Sequence, residues 1–131
     1  MITFGSGNGD TYQYDTNTDC MNEFVLSVYG SLVTGTLSWN ANGTLGGLTI
    51  ADQINPANNQ NCTYTHDDLG RLAEVNCGTN WTQTLGLDPF GNLSKSVPGG
   101  SSGVSFAASY SASTNRISRL PGATIRAPLW C

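Results

Sequence analysis

Phe24, Leu26 and Val28 recur at every second position of 23–29, a spacing that puts their side chains on one face of an extended strand and marks them as core. A strand-like rhythm is also predicted over 11–14, 32–39, 45–50, 81–87 and 93–97, with one more extended run over 104–110. Turn-forming residues separate these runs. Asn42-Gly43 is a strong hairpin signal between two of them, with Trp39 expected to pack beside it. Asp88 to Asn92 makes another turn, with Pro89 at its second position. Residues 51–61 carry a proline and clustered amides and are expected to form a longer, exposed connection. The chain is therefore expected to be all-β, an antiparallel hairpin meander forming a small open sheet, a sandwich or a partial barrel.

The best-specified stretch is 62–77, CTYTHDDLGRLAEVNC. Tyr64 and Thr65 favour extended backbone, 72–75 alternate in polarity, and Asp67, Asp68, Leu69 and Gly70 supply a turn. Positions across a hairpin sum to a constant, so a turn centred there sets Cys62 opposite Cys77, Tyr64 opposite Val75 and His66 opposite Ala73. Facing cysteines are close enough to bridge, and a Cys62–Cys77 disulfide would stabilise the fold by about 3 kcal/mol through loop closure. Cys20 and Cys131 receive no partner.

The run from His66 to Leu72, HDDLGRL, resembles the core of the Rhs or YD repeat, written roughly Y-D-x-x-G-R-L. Leu87 to Leu93 (LDPFGNL) and Trp39 to Leu45 (WNANGTL) are variants of it. Tyr14 to Met21 (YDTNTDCM) keeps the Tyr-Asp pair with one extra residue, and Tyr110 to Ile117 (YSASTNRI) is the faintest echo. Anchors at 14, 39, 66, 87 and 110 are 25, 27, 21 and 23 residues apart by subtraction, the regularity of a repeat architecture. The resemblance implies a piece of the long β-sheet that such proteins wind into a hollow shell, one motif to each hairpin. It also implies a large exported or surface parent that encloses a toxin domain or contacts carbohydrate. About five units are expected over 11–118, between an irregular N-terminal edge at 1–10 and an irregular tail at 119–131. Residues 98–103, PGGSSG, read as a flexible link.

Composition narrows the function. Five basic residues scattered among nine acidic ones leave no footprint for a phosphate backbone, so nucleic acid is not an expected partner. No apolar run is long enough to span a bilayer, and the first ten residues lack the pattern of a secretion signal. The four cysteines lack zinc-ribbon spacing and a single histidine cannot complete a metal site, so neither a metal nor any other cofactor is expected.

Three functional readings stay open. The first is a structural and interaction module without catalytic duty. Five units cannot close a shell, so the piece would curl up or hide its edges by self-association. The second is a small glycosidase working through carboxylates. Its candidates are Asp68 and Glu74, with Asp67, His66 and Asp88 nearby in the sequence, set against turn-capping for the aspartates and a packed or solvated imidazole for His66. The third is non-catalytic carbohydrate binding on an aromatic platform of Trp39, Tyr64, Trp81 and Phe90, set against core packing. The expected location is extracellular or at the cell surface, as part of a larger exported protein.

Overall fold

The computed structural model describes residues 2–3, 8–98 and 104–120. Ten strands form one antiparallel sheet in strict chain order: β1 (Ile2–Thr3), β2 (Gly9–Tyr14), β3 (Met21–Val28), β4 (Ser31–Trp39), β5 (Leu45–Asp52), β6 (Gln60–His66), β7 (Leu72–Asn76), β8 (Thr82–Leu87), β9 (Leu93–Ser96) and β10 (Phe106–Ala107). A separate hairpin follows, β11 (Ser109–Tyr110) with β12 (Ile117–Arg119). The fold is thus the expected hairpin meander, as an open sheet. Residues 99–103, most of the expected link, and 121–131 of the expected tail lie outside the described residues.

The boundaries differ in three places. Ala51 and Asp52 extend β5 and Gln60 opens β6, so the connection between them shrinks to 53–59 and holds one 3-10 turn, Pro56–Asn58. Asp52 closes that loop by accepting from the backbone N–H groups of Ile54 and Asn55. Within the N-terminal edge, Ile2 pairs with Asp10 and Thr3 with Gly9. The run 104–110 divides between the two sheets, with β10 on β9 and β11 on β12.

The five anchors fall at one end of the meander, each just before a turn of one design. In the turns opened by Asn40, Asp67 and Asp88, the first residue's N–H donates to the carbonyl four residues on, and its own carbonyl accepts from the residue three on. The turns opened by Asp15 and Ser111 are one residue longer, as the extra residue in Tyr14 to Met21 required. The last loop residue is left-handed in all five: Asp19 at φ 56°, Gly43 at 80°, Gly70 at 75°, Gly91 at 82° and Asn115 at 52°. Glycine or a short polar side chain is what this conformation tolerates.

A bulge follows four of these turns. In the central hairpin Tyr64 faces Val75 and Thr65 faces Glu74 as the register demanded, but His66 faces Leu72 because Ala73 is an extra residue. The sum rule therefore holds down the arms and fails next to the turn. Asn22, Gly46 and Ser118 are the equivalent extra residues after the turns at 15–20, 40–44 and 111–116.

Register divides the sheet into two chemically distinct faces. On one, Phe24 pairs with Gly35, Leu26 with Val33, Leu37 with Leu48, Gly35 with Ile50, Leu48 with Cys62 and Tyr64 with Val75. On the other, Thr36 pairs with Thr49, Thr49 with Asn61, Thr63 with Asn76 and Thr84 with Ser96. Within the described sheet each strand's backbone lies against its ladder neighbours, with the 3-10 turn against β5, and Tyr110 of the separate hairpin donates to the Leu93 carbonyl. Burial is correspondingly concentrated. The hydrophobic core is Cys62, Val75 and Cys77, with Tyr64, Leu72 and Trp81 packed round it. Cys62 and Cys77 form the expected disulfide, closing a span of 15 residues.

Candidate functional site

Two features concentrate functional side chains: the row of turns, and a cleft beside Trp39. In the 67–71 turn, Asp67 Oδ1 accepts from the N–H groups of Leu69 (3.0 Å) and Arg71 (2.9 Å), and Oδ2 accepts from Arg71 Nε at 2.7 Å. Arg71 then reaches the next turn, donating to the carbonyls of Asp88 (3.2 Å) and Leu87 (3.4 Å). Asp88 repeats the arrangement, with Oδ1 on the N–H groups of Phe90 and Asn92 and Oδ2 accepting from Asn92 Nδ2. Asn92 also donates to Asn115 Oδ1 of the following turn, at 2.6 Å. The 67–71 and 88–92 turns are thus each closed by their own side chains and tied to the turn that follows.

This geometry sets the ionisation of the aspartates. The Arg71 backbone N–H is the main influence holding the Asp67 carboxyl below its ordinary value; partial desolvation opposes it, and the Arg71 side chain and the Leu69 N–H reinforce it. At Asp88 desolvation pushes upward, but the Asn92 side chain with the Asn92 and Phe90 N–H groups outweighs it, and the carboxyl is again lowered. A glycosidase's general acid needs a raised pKa. Asp67 and Asp88 are shifted the other way, and their oxygens are already engaged in closing turns.

Asp68 is exposed in the turn, whereas Glu74 lies on the threonine-rich face, opposite Thr65 and Thr84. His66 belongs to the apolar face, opposite Leu72, and its Nδ1 is buried without a hydrogen-bond partner among the described residues. Among the described residues no cluster of three metal-ligating side chains occurs.

Of the four aromatic candidates, the structure brings only Tyr64 and Trp81 to one place. Tyr64 and Trp81 pack against the disulfide, and the Trp81 indole N–H donates to Gln60 Oε1 at 2.9 Å. Phe90 stands out from the 88–92 turn, 78% exposed. Trp39 is 40% exposed and fixed by its indole N–H, which donates to the Met21 carbonyl at 2.8 Å. It lines a cleft of about 570 Å³ together with Asp15, Cys20, Asn22, Leu37 and Asn40. Among the described residues Cys20 has no disulfide partner there, and the Asn22 amide oxygen is buried without a hydrogen-bond partner.

Sequence reasoning overlooked Arg71 and Asn92 as links between repeats. The signal was present, since both occupy the position after the turn's glycine, yet nothing in a linear motif says which neighbouring carbonyl such a side chain will reach. No model of a known protein family matches this chain, and no curated protein matches it.

Proposed function

We propose that this chain is a structural and interaction module: a run of YD-like hairpins that extends or joins other β-structure through its sheet edges, with no catalytic residue of its own. One observation carries the reading. Strands β1 to β10 form one sheet laddered in chain order, whose last turns, 67–71 to 88–92 and 88–92 to 111–116, are tied together, and it ends in two short edge strands, β1 and β10, that carry only one neighbour each. An open edge presents unpaired backbone groups and invites another strand. The Cys62–Cys77 bond supports an oxidising location outside the cell or at its surface, within a larger exported protein.

Sedimentation velocity across a concentration series tests this reading, with Ala107→Lys as a variant that blunts the β10 edge. Wild type is expected to grow in size with concentration, and the variant to associate at least about tenfold more weakly. Wild type that stays monomeric throughout would remove the proposal. So would turnover of a chromogenic glycoside above a mock purification that disappears in Asp68→Asn or Glu74→Gln.

The cleft beside Trp39 favours a second reading, contact with carbohydrate. A fixed, partly exposed indole offers an apolar face to a pyranose, and Asp15, Asn22 and Asn40 offer polar neighbours. Titration with labelled oligosaccharides would show saturable binding that Trp39→Ala weakens. Binding indifferent to Trp39 would reject this reading.

A further inference from the structure

The apolar face of the sheet carries more hydrophobic surface than the described chain covers. Leu26, Val33, Leu37, Leu48 and Ile50 share that face and are each only half-buried, and beyond ladder neighbours the described elements bring to the sheet the 3-10 turn against β5 and Tyr110 on the Leu93 carbonyl. The reverse face is different in kind, since Thr36, Thr49, Thr63 and Thr65 stand on it and are suited to water. An open antiparallel sheet with one apolar side and one hydroxyl-rich side is half of a sandwich.

We propose that the missing half is a second copy of this chain, docked through the same face about a twofold axis. This deepens the reading of the chain as an assembling module and rests on it, but assigns the primary contact to the face and leaves the edges to link the resulting pairs.

Area and charge point to a second copy. Six strands, β3 to β8, at about 4.8 Å spacing and about seven residues of about 3.4 Å each, give roughly 700 Å² on one side. A stable interface of standard size takes roughly 600–1,000 Å² from each partner, so two such faces fall within the range. Charge does not oppose the pairing. Asp10, Asp52 and Lys95 are the charged residues that register places on this face among the strands, and they stand on β2, at the end of β5 and on β9, away from the Leu37–Leu48 centre. An isologous contact brings each patch against its own equivalent, which a neutral centre permits and a charged one would penalise.

The experiment starts from Ala107→Lys, in which the β10 edge is blunted. In sedimentation velocity this variant is expected to remain a dimer, and adding Leu48→Lys should weaken the dimer at least about a hundredfold, whereas adding Thr49→Lys on the opposite face should leave it unchanged. If Ala107→Lys alone is already monomeric while wild type assembles, the face is not the interface; the module reading stands and this proposal falls. If wild type never assembles, both fall. A second measurement needs no core substitution: a soluble paramagnetic agent is applied to the methyl-labelled Ala107→Lys protein. Strong protection of the Leu26, Val33, Leu37 and Leu48 methyls relative to the threonine methyls, in a dimer, is the expected result. Equal exposure of both sets overturns the proposal, as does a monomer whose leucine methyls are shielded by its own chain.

Discussion

The guanidinium of Arg71 donates to the carbonyl of Asp88, 3.2 Å away and 17 residues later, while its Nε holds Asp67 of its own turn. One side chain therefore closes a turn and fixes the position of the next. Planarity is what makes both tasks compatible, because the Nε–H and the terminal N–H groups leave the guanidinium in different directions within one plane.

Replacing Arg71 should loosen both turns together. Arg71→Ala is expected to lower the thermal midpoint by about 4 °C or more, and Arg71→Lys should recover little of it because an ammonium lacks the fork. Calorimetry provides the midpoints. Hydrogen exchange should show faster exchange at the Gly91 amide as well as at Gly70, the two turn amides that donate to Asp88 and Asp67. A change confined to the 67–71 turn would contradict the link.

The disulfide stands at the centre of the small buried cluster. Reduction, or Cys62→Ser with Cys77→Ser, should cost about 3 kcal/mol by loop closure, with a further loss from polar atoms introduced beside Val75 and Trp81. Denaturant unfolding with and without reductant measures the difference. Peptide mapping under non-reducing conditions should recover the 62–77 cross-link with Cys20 still alkylatable.

Gly35 leaves room for an aromatic ring. A Cβ built there would lie 2.1 Å from the Phe24 ring, too close for any side chain without movement of the ring. Gly35→Ala should therefore destabilise by about 1–3 kcal/mol, the usual range for overpacking. Phe24→Leu is expected to absorb much of that cost when the two are combined, and a strictly additive double mutant would show that the ring and the glycine do not meet.

Acid should weaken the turns in a defined direction. Asp15, Asp52, Asp67 and Asp88 are all held below the ordinary aspartate value, led at Asp15 by the Asn17 N–H and at Asp52 by the Asn58 side chain. A carboxyl whose folded pKa is depressed adds stability above its unfolded pKa, near 3.9, and that stability is lost as pH falls through the folded value. Denaturation midpoints should thus be flat from neutral pH down to about 5 and decline below about 4. Asp67→Asn and Asp88→Asn should each make the decline shallower, and an unchanged acid profile in both would show that the turn carboxylates do not set it.

Much of this arrangement was legible in the residues. Alternation in 23–29 identified the apolar face of β3, although the core expected there lies instead at Cys62, Val75 and Cys77 and Val28 is exposed. The Asn42-Gly43 and Asp67 to Gly70 signals located their turns, and register arithmetic joined Cys62 to Cys77. These are local properties, because strand pleat and turn chemistry act within a few residues and need no distant partner. His66 shows where that logic stopped: its partner is Leu72 and not Ala73, since the bulge beside the turn is a compromise between turn closure and sheet register.

The candidate chemistry divides along the same line. Sequence determined which side chains exist near each turn, a meander of hairpins and a cysteine pair. Tertiary structure alone decided that Glu74 and His66 stand on opposite faces, that Trp39, Trp81 and Phe90 lie in separate places, and that Arg71 and Asn92 tie successive turns together. The physical reason is that a strand's two faces and a sheet's two ends are set by pairing between strands, so residues close in sequence are parted and residues some twenty positions apart are brought to hydrogen-bonding distance.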